Sequence, residues 1–161
     1  AAAAPNTANV HFGLGYLHWK KREFDKAEPA FLREIDIGGS LAQAKAYLGD
    51  IRLRQKRPQE AMALFQDALR LEPNIRVAHL GRGIVHTQEG NYEQAVADLR
   101  EAVRLDPDQT DAHFRLANAY RAMGRREEAE AELQEVGRLQ KKTREDLLHK
   151  ISGPPPVPKI E

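Results

Sequence analysis

The sequence predicts an all-α chain of stacked helix pairs, and three observations support this prediction. Ala, Leu, Glu and Arg are abundant among the 161 residues, and these residues are strong helix formers. Aromatic residues make up only 6% of the chain, and no segment alternates β-branched and polar residues as a half-buried strand does. The third observation is that the same residue types recur four times at a spacing of 34 residues.

The repeat is defined by an alanine that is followed four residues later by Phe or Leu. The alanines are Ala27, Ala61, Ala95 and Ala129, and the residues that follow them are Phe31, Phe65, Leu99 and Leu133. Twelve residues before each alanine stands a small residue, and these are Gly15, Gly49, Gly83 and Ala117. Pro73 and Pro107 keep the same spacing. One register without an insertion indicates four structural units, at 8–41, 42–75, 76–109 and 110–141.

Each unit is predicted to fold as two antiparallel helices joined by a short turn. The small residue lies midway along the first helix, where a short side chain lets the two helices approach closely. The alanine and the Phe or Leu lie on one face of the second helix, because residues four apart are neighbours on a helix surface. In units two and three the second helix ends before proline, since the residue that precedes proline avoids helical geometry. Gly90 and Gly124 suit the left-handed residue that closes a first helix.

Three further segments are expected outside the four units. Residues 1–7 are interpreted as a linker or the boundary of an expressed fragment, because they lack the basic and apolar regions of an intact signal peptide. Residues 142–152 are predicted to form a capping helix whose apolar side chains cover the last unit, with a docking helix for a partner as the alternative. Residues 153–161, GPPPVPKIE, form a predicted extended tail, which is either a linker or a ligand for a proline-reading domain.

A 34-residue helix–turn–helix unit with Leu-Gly, Ala-x-x-x-Phe and a closing proline resembles the tetratricopeptide repeat (TPR) family, over about residues 8–141. The chain departs from the family pattern at two positions. The usual Trp is replaced by His11, Lys45, His79 and His113, and the usual Tyr is kept only at Tyr120. The resemblance implies a right-handed superhelical solenoid, whose concave face is lined by first helices and binds a protein or peptide.

The family's groove-facing positions imply a partner-binding groove that is rich in apolar and aromatic side chains. Its residues are Phe12, Tyr16, Trp19, Asp50, Leu53, Val77, Leu80, Ile84, Asp111, Phe114, Asn118 and Arg121. If they are exposed, the apolar members form a larger patch than soluble proteins usually leave bare, and we expect them to hold an apolar segment or helix of a partner. The alternative is that several of them pack between helices.

One known TPR subclass instead grips a C-terminal carboxylate with Lys, Asn and Arg side chains on its first helices. At the corresponding positions of this chain, in either possible register, only Arg115 matches. A carboxylate clamp is therefore not expected.

Composition excludes several other classes of function. The 25 Lys and Arg residues balance 24 Asp and Glu residues, so the chain lacks the basic excess of nucleic-acid-binding proteins. It has no run of 18 apolar residues that would span a membrane. The absence of cysteine excludes thiolate catalysis and fits the cytosol and the periplasm alike.

No cofactor, metal or catalytic site is expected. The closely spaced glycines at Gly13 and Gly81 lie inside predicted helices, whereas a phosphate-binding loop follows a strand. Five of the six histidines occupy two repeat positions, which indicates a structural role; a cross-repeat site between His79 and His113 is the alternative. The predicted function is a non-enzymatic scaffold for protein binding. The alternatives are the TPR portion of a larger enzyme or secretion protein, and a module for self-association into a homo-oligomer.

Overall fold

The computed structural model describes residues 9–152, which form eight α-helices and no strand. The helices are α1 (Val10–Lys20), α2 (Phe24–Asp36), α3 (Leu41–Arg54), α4 (Pro58–Leu71), α5 (Arg76–Gln88), α6 (Tyr92–Leu105), α7 (Thr110–Ala122) and α8 (Arg126–Ser152). The segment predicted as a linker, 1–7, and the proline-rich tail, 153–161, lie outside the described residues. Within the described range, no helix is long and apolar enough to cross a membrane.

The helices pack as four consecutive pairs, and the pairs stack on one another. α1 packs on α2, α3 on α4, α5 on α6 and α7 on α8, and the second helix of each of the first three pairs also contacts the helix that follows it. The first helices lie in a row, because α3 contacts both α1 and α5, and α5 also contacts α7. The predicted all-α solenoid of helix pairs is therefore confirmed.

The small residues of the repeat allow close packing inside each pair. A Cβ atom added at Gly15 would lie 2.8 Å from the Phe31 ring, and one added at Gly49 would lie 2.6 Å from the Phe65 ring. These distances are too short for carbon atoms, so only glycine fits. Other repeat residues are also closely packed. Gly83 packs on Leu99, and the markers Ala27, Ala61, Ala95, Ala117 and Ala129 are buried.

A left-handed residue closes the first helix of every unit. Gly90 and Gly124 have φ angles of 78° and 74°, as the sequence predicts. The residues one and two repeats before Gly90 are Lys56, with φ of 59°, and Arg22, with φ of 62°. The backbone geometry is therefore conserved among the units, although two of them place a side chain in a conformation that favours glycine.

Two histidines fasten the loops between units to second helices. His79 Nδ1 lies 3.0 Å from the Asp98 carboxylate, and its Nε2 lies 2.9 Å from the carbonyl oxygen of Pro73. His113 makes the equivalent pair of contacts, with Glu132 and the Pro107 carbonyl. Both nitrogens of each ring are thus engaged by separate protein groups, so His79 and His113 do not share the cross-repeat site considered as the alternative.

Asp98 is a buried carboxylate at the centre of the first of these contacts. The Arg82 guanidinium donates to both Asp98 oxygens, at 2.8 and 2.6 Å. Burial raises the pKa of Asp98, but hydrogen bonds from His79 and Arg82 outweigh this effect and leave the pKa below its usual value. The ionised carboxylate is therefore part of the folded structure.

The C-terminal helix differs from the prediction. Residues 142–152 are helical, but they continue α8 and do not form a separate capping helix. The physical reason is that Lys141 stands where Pro73 and Pro107 end the earlier second helices, so nothing stops α8. Residues 143–151 are exposed, and Ile151 retains 74% of its accessible surface. This segment therefore does not cover the last unit, contrary to the prediction.

Candidate functional site

Three aromatic side chains form a stack along one face of α1. Phe12, Tyr16 and Trp19 are spaced by four and three residues, which places them on the same side of a helix. The ring centroids of Phe12 and Tyr16 are 6.2 Å apart with an interplanar angle of 14°. Those of Tyr16 and Trp19 are 6.1 Å apart at 13°. The three rings therefore present roughly parallel faces.

Tyr47 of α3 completes this aromatic cluster from the next unit. Its ring meets Trp19 edge-on at 4.9 Å and Tyr16 edge-on at 5.4 Å. Burial, with smaller contributions from nearby Tyr16 and Asp50, raises the pKa of Tyr47 to about 12. Like an ordinary tyrosine hydroxyl, the Tyr47 hydroxyl is protonated at neutral pH and can donate a hydrogen bond. Sequence reasoning missed Tyr47, although it directly follows Ala46, a groove-facing position in the family pattern.

The aromatic cluster is held in place by the core beneath it and by the Asp50 carboxylate. Phe12, Trp19 and Tyr47 pack on the core formed by the first units, whereas Tyr16 does not. The Trp19 indole N–H donates to the Asp50 carboxylate at 2.7 Å, and Arg54 Nε donates to the same oxygen at 2.7 Å. Asp50, predicted to frame the groove, therefore positions the Trp19 ring.

The aromatic cluster forms one wall of a groove of about 640 Å³, which we call the aromatic groove. Its other residues come from α3, from the start of α5, and from the loops before α5 and α7. The full lining is Phe12, Tyr16, Trp19, Lys20, Gln43, Tyr47, Glu72, Asn74, Ile75, Arg76, Val77, Asp106 and Gln109. The groove thus combines an apolar wall with a rim of amide and charged side chains. This composition is usual for binding clefts of proteins.

The charges at the rim differ in how they are paired. Arg76 lies 3.2 Å from the Asp111 carboxylate, and Glu72 accepts a hydrogen bond from Gln43. The Lys20 amine lies 5.5 Å from the centroid of the Tyr16 ring, in cation–π range. Among the described residues, neither Lys20 nor Asp106 has an ion-pair partner. Lys20 and Asp106 are therefore available to pair with charges of a ligand.

Four other residues predicted to line the groove lie on α3 and α5, and their burial differs. Val77 contributes to the groove wall although it is largely buried. Leu80 is only 8% exposed and packs in the core between α5, α6 and α7. It therefore does not line the groove, contrary to the prediction. Leu53 and Ile84 are half-buried against the cores. These side chains are covered because α3 and α5 each have a neighbouring first helix on both sides.

The predicted residues on α7 do not line the aromatic groove. Phe114 is 50% exposed, and Asn118 is exposed as well. Arg121 lines a separate cavity of about 390 Å³ between α7 and α8. Asp111 reaches the groove only through its ion pair with Arg76. The structure therefore divides the predicted continuous groove into an aromatic groove on the first three units and a second surface on the last unit.

Comparisons with known proteins agree with this architecture. Three family profiles, each described as tetratricopeptide repeat, match residues 1–42, 42–75 and 86–147. No curated protein sequence matches significantly.

Among solved structures, MamA superposes with a TM-score of 0.68 at 20% identity, over 88% of this chain and 82% of the other. YrrB, described as a TPR protein with an unusual peptide-binding site, gives a TM-score of 0.63 at 22% identity, over 88% and 73% of the two chains. With its four units in one 34-residue register and its stacked helix pairs, the chain belongs to the tetratricopeptide repeat family.

Proposed function

We propose that the chain is a non-enzymatic scaffold that binds an apolar segment of a partner protein in the aromatic groove. The observation that carries this proposal is the aromatic cluster, in which Phe12, Tyr16 and Trp19 are stacked, Tyr47 meets two of these rings edge-on, and all four rings are partly exposed. Rigid aromatic side chains are common anchors of protein interfaces. Because these rings are preorganised by contacts within the chain, little side-chain entropy is lost when a ligand binds.

The dimensions of the aromatic groove favour an extended ligand. The groove crosses α1, α3 and α5, and packed helices lie about 8–10 Å apart, so it spans roughly 20 Å. An extended chain rises about 3.3 Å per residue, so about six residues would fill the groove. Gln43, Asn74 and Gln109 line the rim, and their amides can both donate to and accept from a peptide backbone.

The description of YrrB as a peptide-binding TPR protein belongs to that protein, but it supports looking for a ligand of the same class here. The buried carboxylate Asp98 is held by His79 and Arg82, so its charge serves the fold. If the chain is the TPR portion of a larger enzyme or assembly protein, the aromatic groove would position the partner for that protein.

An unbiased displayed peptide library, selected on the chain and on two variants, tests this proposal. Tyr16→Ala removes the central ring of the aromatic cluster, and Tyr16 is the member that does not pack on the core. Phe114→Ala is the matched control, because it removes an exposed aromatic ring that lies outside the groove. Circular dichroism should first show that both variants are folded.

We expect apolar peptides that are enriched on the wild-type chain and on Phe114→Ala and that are lost on Tyr16→Ala. The reverse pattern, with binding lost on Phe114→Ala alone, would place the binding surface on α7 and contradict the proposal. A folded wild-type chain that enriches no peptide would also overturn it.

A further inference from the structure

The segment 153–161 carries four prolines in nine residues, at 154, 155, 156 and 158. Proline fixes φ near the value of the polyproline II helix, which has three residues per turn and no internal hydrogen bonds. In that conformation, three consecutive prolines would present a ring on each of the three faces of the helix. Their carbonyl oxygens would then be available to accept hydrogen bonds from a binding partner.

The aromatic groove has the chemistry that recognises this kind of segment. Polyproline II ligands dock on grooves lined by aromatic rings, where flat proline rings pack against flat aromatic faces. The rings of Phe12, Tyr16 and Trp19 are within 14° of parallel for each neighbouring pair. The Tyr47 hydroxyl and the Gln43 amide lie beside them as hydrogen-bond donors for proline carbonyls.

The charges of the segment also complement the rim. Two residues close to the prolines are ionised, Lys159 and Glu161, which lie two positions apart. The aromatic groove offers an anion at Asp106 and a cation at Lys20, and neither has an ion-pair partner among residues 9–152. Asp106 can therefore pair with Lys159 of a bound segment whose prolines lie toward the aromatic cluster.

The geometry of α8 keeps the prolines away from the aromatic cluster of their own chain. Lys142 lies 3.4 Å from Asp108 at the start of α7, and α8 then continues for ten residues, or about 15 Å. The third proline follows Ser152 by four residues and reaches back at most ~14 Å. That distance only returns the chain to the level of α7. α1 lies three helix spacings farther along the row, which is roughly 24–30 Å.

We propose that the aromatic groove binds the proline-rich segment 153–161 of a second copy of this chain. The groove lies on the first units and the segment follows the last helix, so each copy carries one donor and one acceptor surface. Such a head-to-tail interface is heterologous, and it produces open chains unless the rotation closes a ring. This inference rests on the proposed function of the aromatic groove as a peptide-binding site.

The test is a complementation experiment with two variants of the full chain. The groove variant is Tyr16→Ala. The tail variant replaces all four prolines of the segment by serine. Sedimentation velocity from low micromolar to near-millimolar concentration gives the mass of each protein alone and of their equimolar mixture.

We expect the wild-type mass to rise with concentration and each variant alone to stay monomeric. The mixture should form a one-to-one dimer, because only one intact groove and one intact tail then meet. Asp106→Lys should weaken wild-type association at least tenfold, and Lys159→Glu in the same chain should restore it. This charge exchange at the loop before α7 keeps the inference testable if Tyr16→Ala does not fold.

Any one of the following results would overturn the inference. A wild-type chain that stays monomeric at every concentration shows no self-association, and association that persists in the tail variant uses another interface. A labelled GPPPVPKIE peptide that binds the tail variant but not a monomeric wild-type chain indicates binding within one chain. If displayed peptides without proline still require Tyr16, this inference fails while the proposed function stands; if Tyr16→Ala affects no peptide, both fail.

Discussion

Gly81→Ala is the most severe test of the close packing between units, because Gly81 lies against the ring of Phe65 from the preceding unit. A Cβ at Gly81 would overlap the ring outright, and on the opposite side a Cβ at Gly49 would lie 2.6 Å from it. The Phe65 ring is fully buried, so it has no free space into which it can move. The added methyl group must therefore displace α5 or force the ring away from its preferred rotamer.

The expected magnitude follows from two opposing effects. Overpacking a buried site costs about 1–3 kcal/mol, and the clamped ring of Phe65 places this site at the upper end. Alanine recovers about 1 kcal/mol relative to glycine inside a helix. Gly81→Ala should therefore lower the free energy of unfolding by about 1–2 kcal/mol.

Gly137→Ala is the matched control, because an added Cβ there has no atom within 4 Å. It lies inside α8, so it should gain roughly 0.5–1 kcal/mol from helix propensity alone. Urea unfolding followed by circular dichroism measures both variants. Adding Phe65→Leu should reduce the loss caused by Gly81→Ala. If Gly81→Ala were as stable as Gly137→Ala, the proposed packing of Phe65 would be refuted.

Four further substitutions test the backbone turns, the buried carboxylate and the core. Lys56→Gly relieves a left-handed backbone and should stabilise the chain by about 0.5–1 kcal/mol in urea unfolding, whereas Gly90→Lys at the equivalent position should destabilise it by about 1–2 kcal/mol. Asp98→Asn should cost about 2 kcal/mol at neutral pH through the bond to Arg82. The pKa of Asp98 is lower in the folded state than in the unfolded state. The ionised carboxylate therefore stabilises the fold fully above the unfolded pKa of ~4, and this stabilisation is lost as the pH falls through the folded-state pKa. The stability difference between Asp98→Asn and the wild type should therefore shrink as the pH is lowered. Leu80→Glu buries a charge and should lower the melting temperature sharply; an unchanged melting temperature would return Leu80 to the groove.

The repeat could be predicted from the sequence because its markers report directly on packing. Gly49 and Ala61 mark the closest approach of two helices, and any larger side chain there would separate them. The left-handed turn at Gly90 has an equally local cause, since few other residues adopt that backbone conformation readily. Such features depend on a few neighbouring residues, so a pattern in one sequence is enough to identify them.

The details of the aromatic groove depend on neighbours that no single pattern specifies. Each inner first helix contacts its own partner helix and the units on both sides, so a groove-facing position can become core, as Leu80 does. Tyr47 joins the groove because α1 presents three rings beside it, which is a contact between two units. The prediction of a separate capping helix is wrong for a simpler reason. Position 141 is Lys instead of the proline that ends the earlier second helices, so α8 continues.

Tryptophan fluorescence shows whether a ligand binds in the aromatic groove, because Trp19 is the chain's single tryptophan and lies in the groove wall. Peptides from the selection that contain no tryptophan would be titrated into the wild-type chain, with anisotropy of a labelled peptide as the independent measure of binding. The account predicts a saturable change in Trp19 emission with the same midpoint as the anisotropy. Binding by anisotropy with unchanged Trp19 emission would contradict the account, since the ligand would then bind outside the aromatic groove.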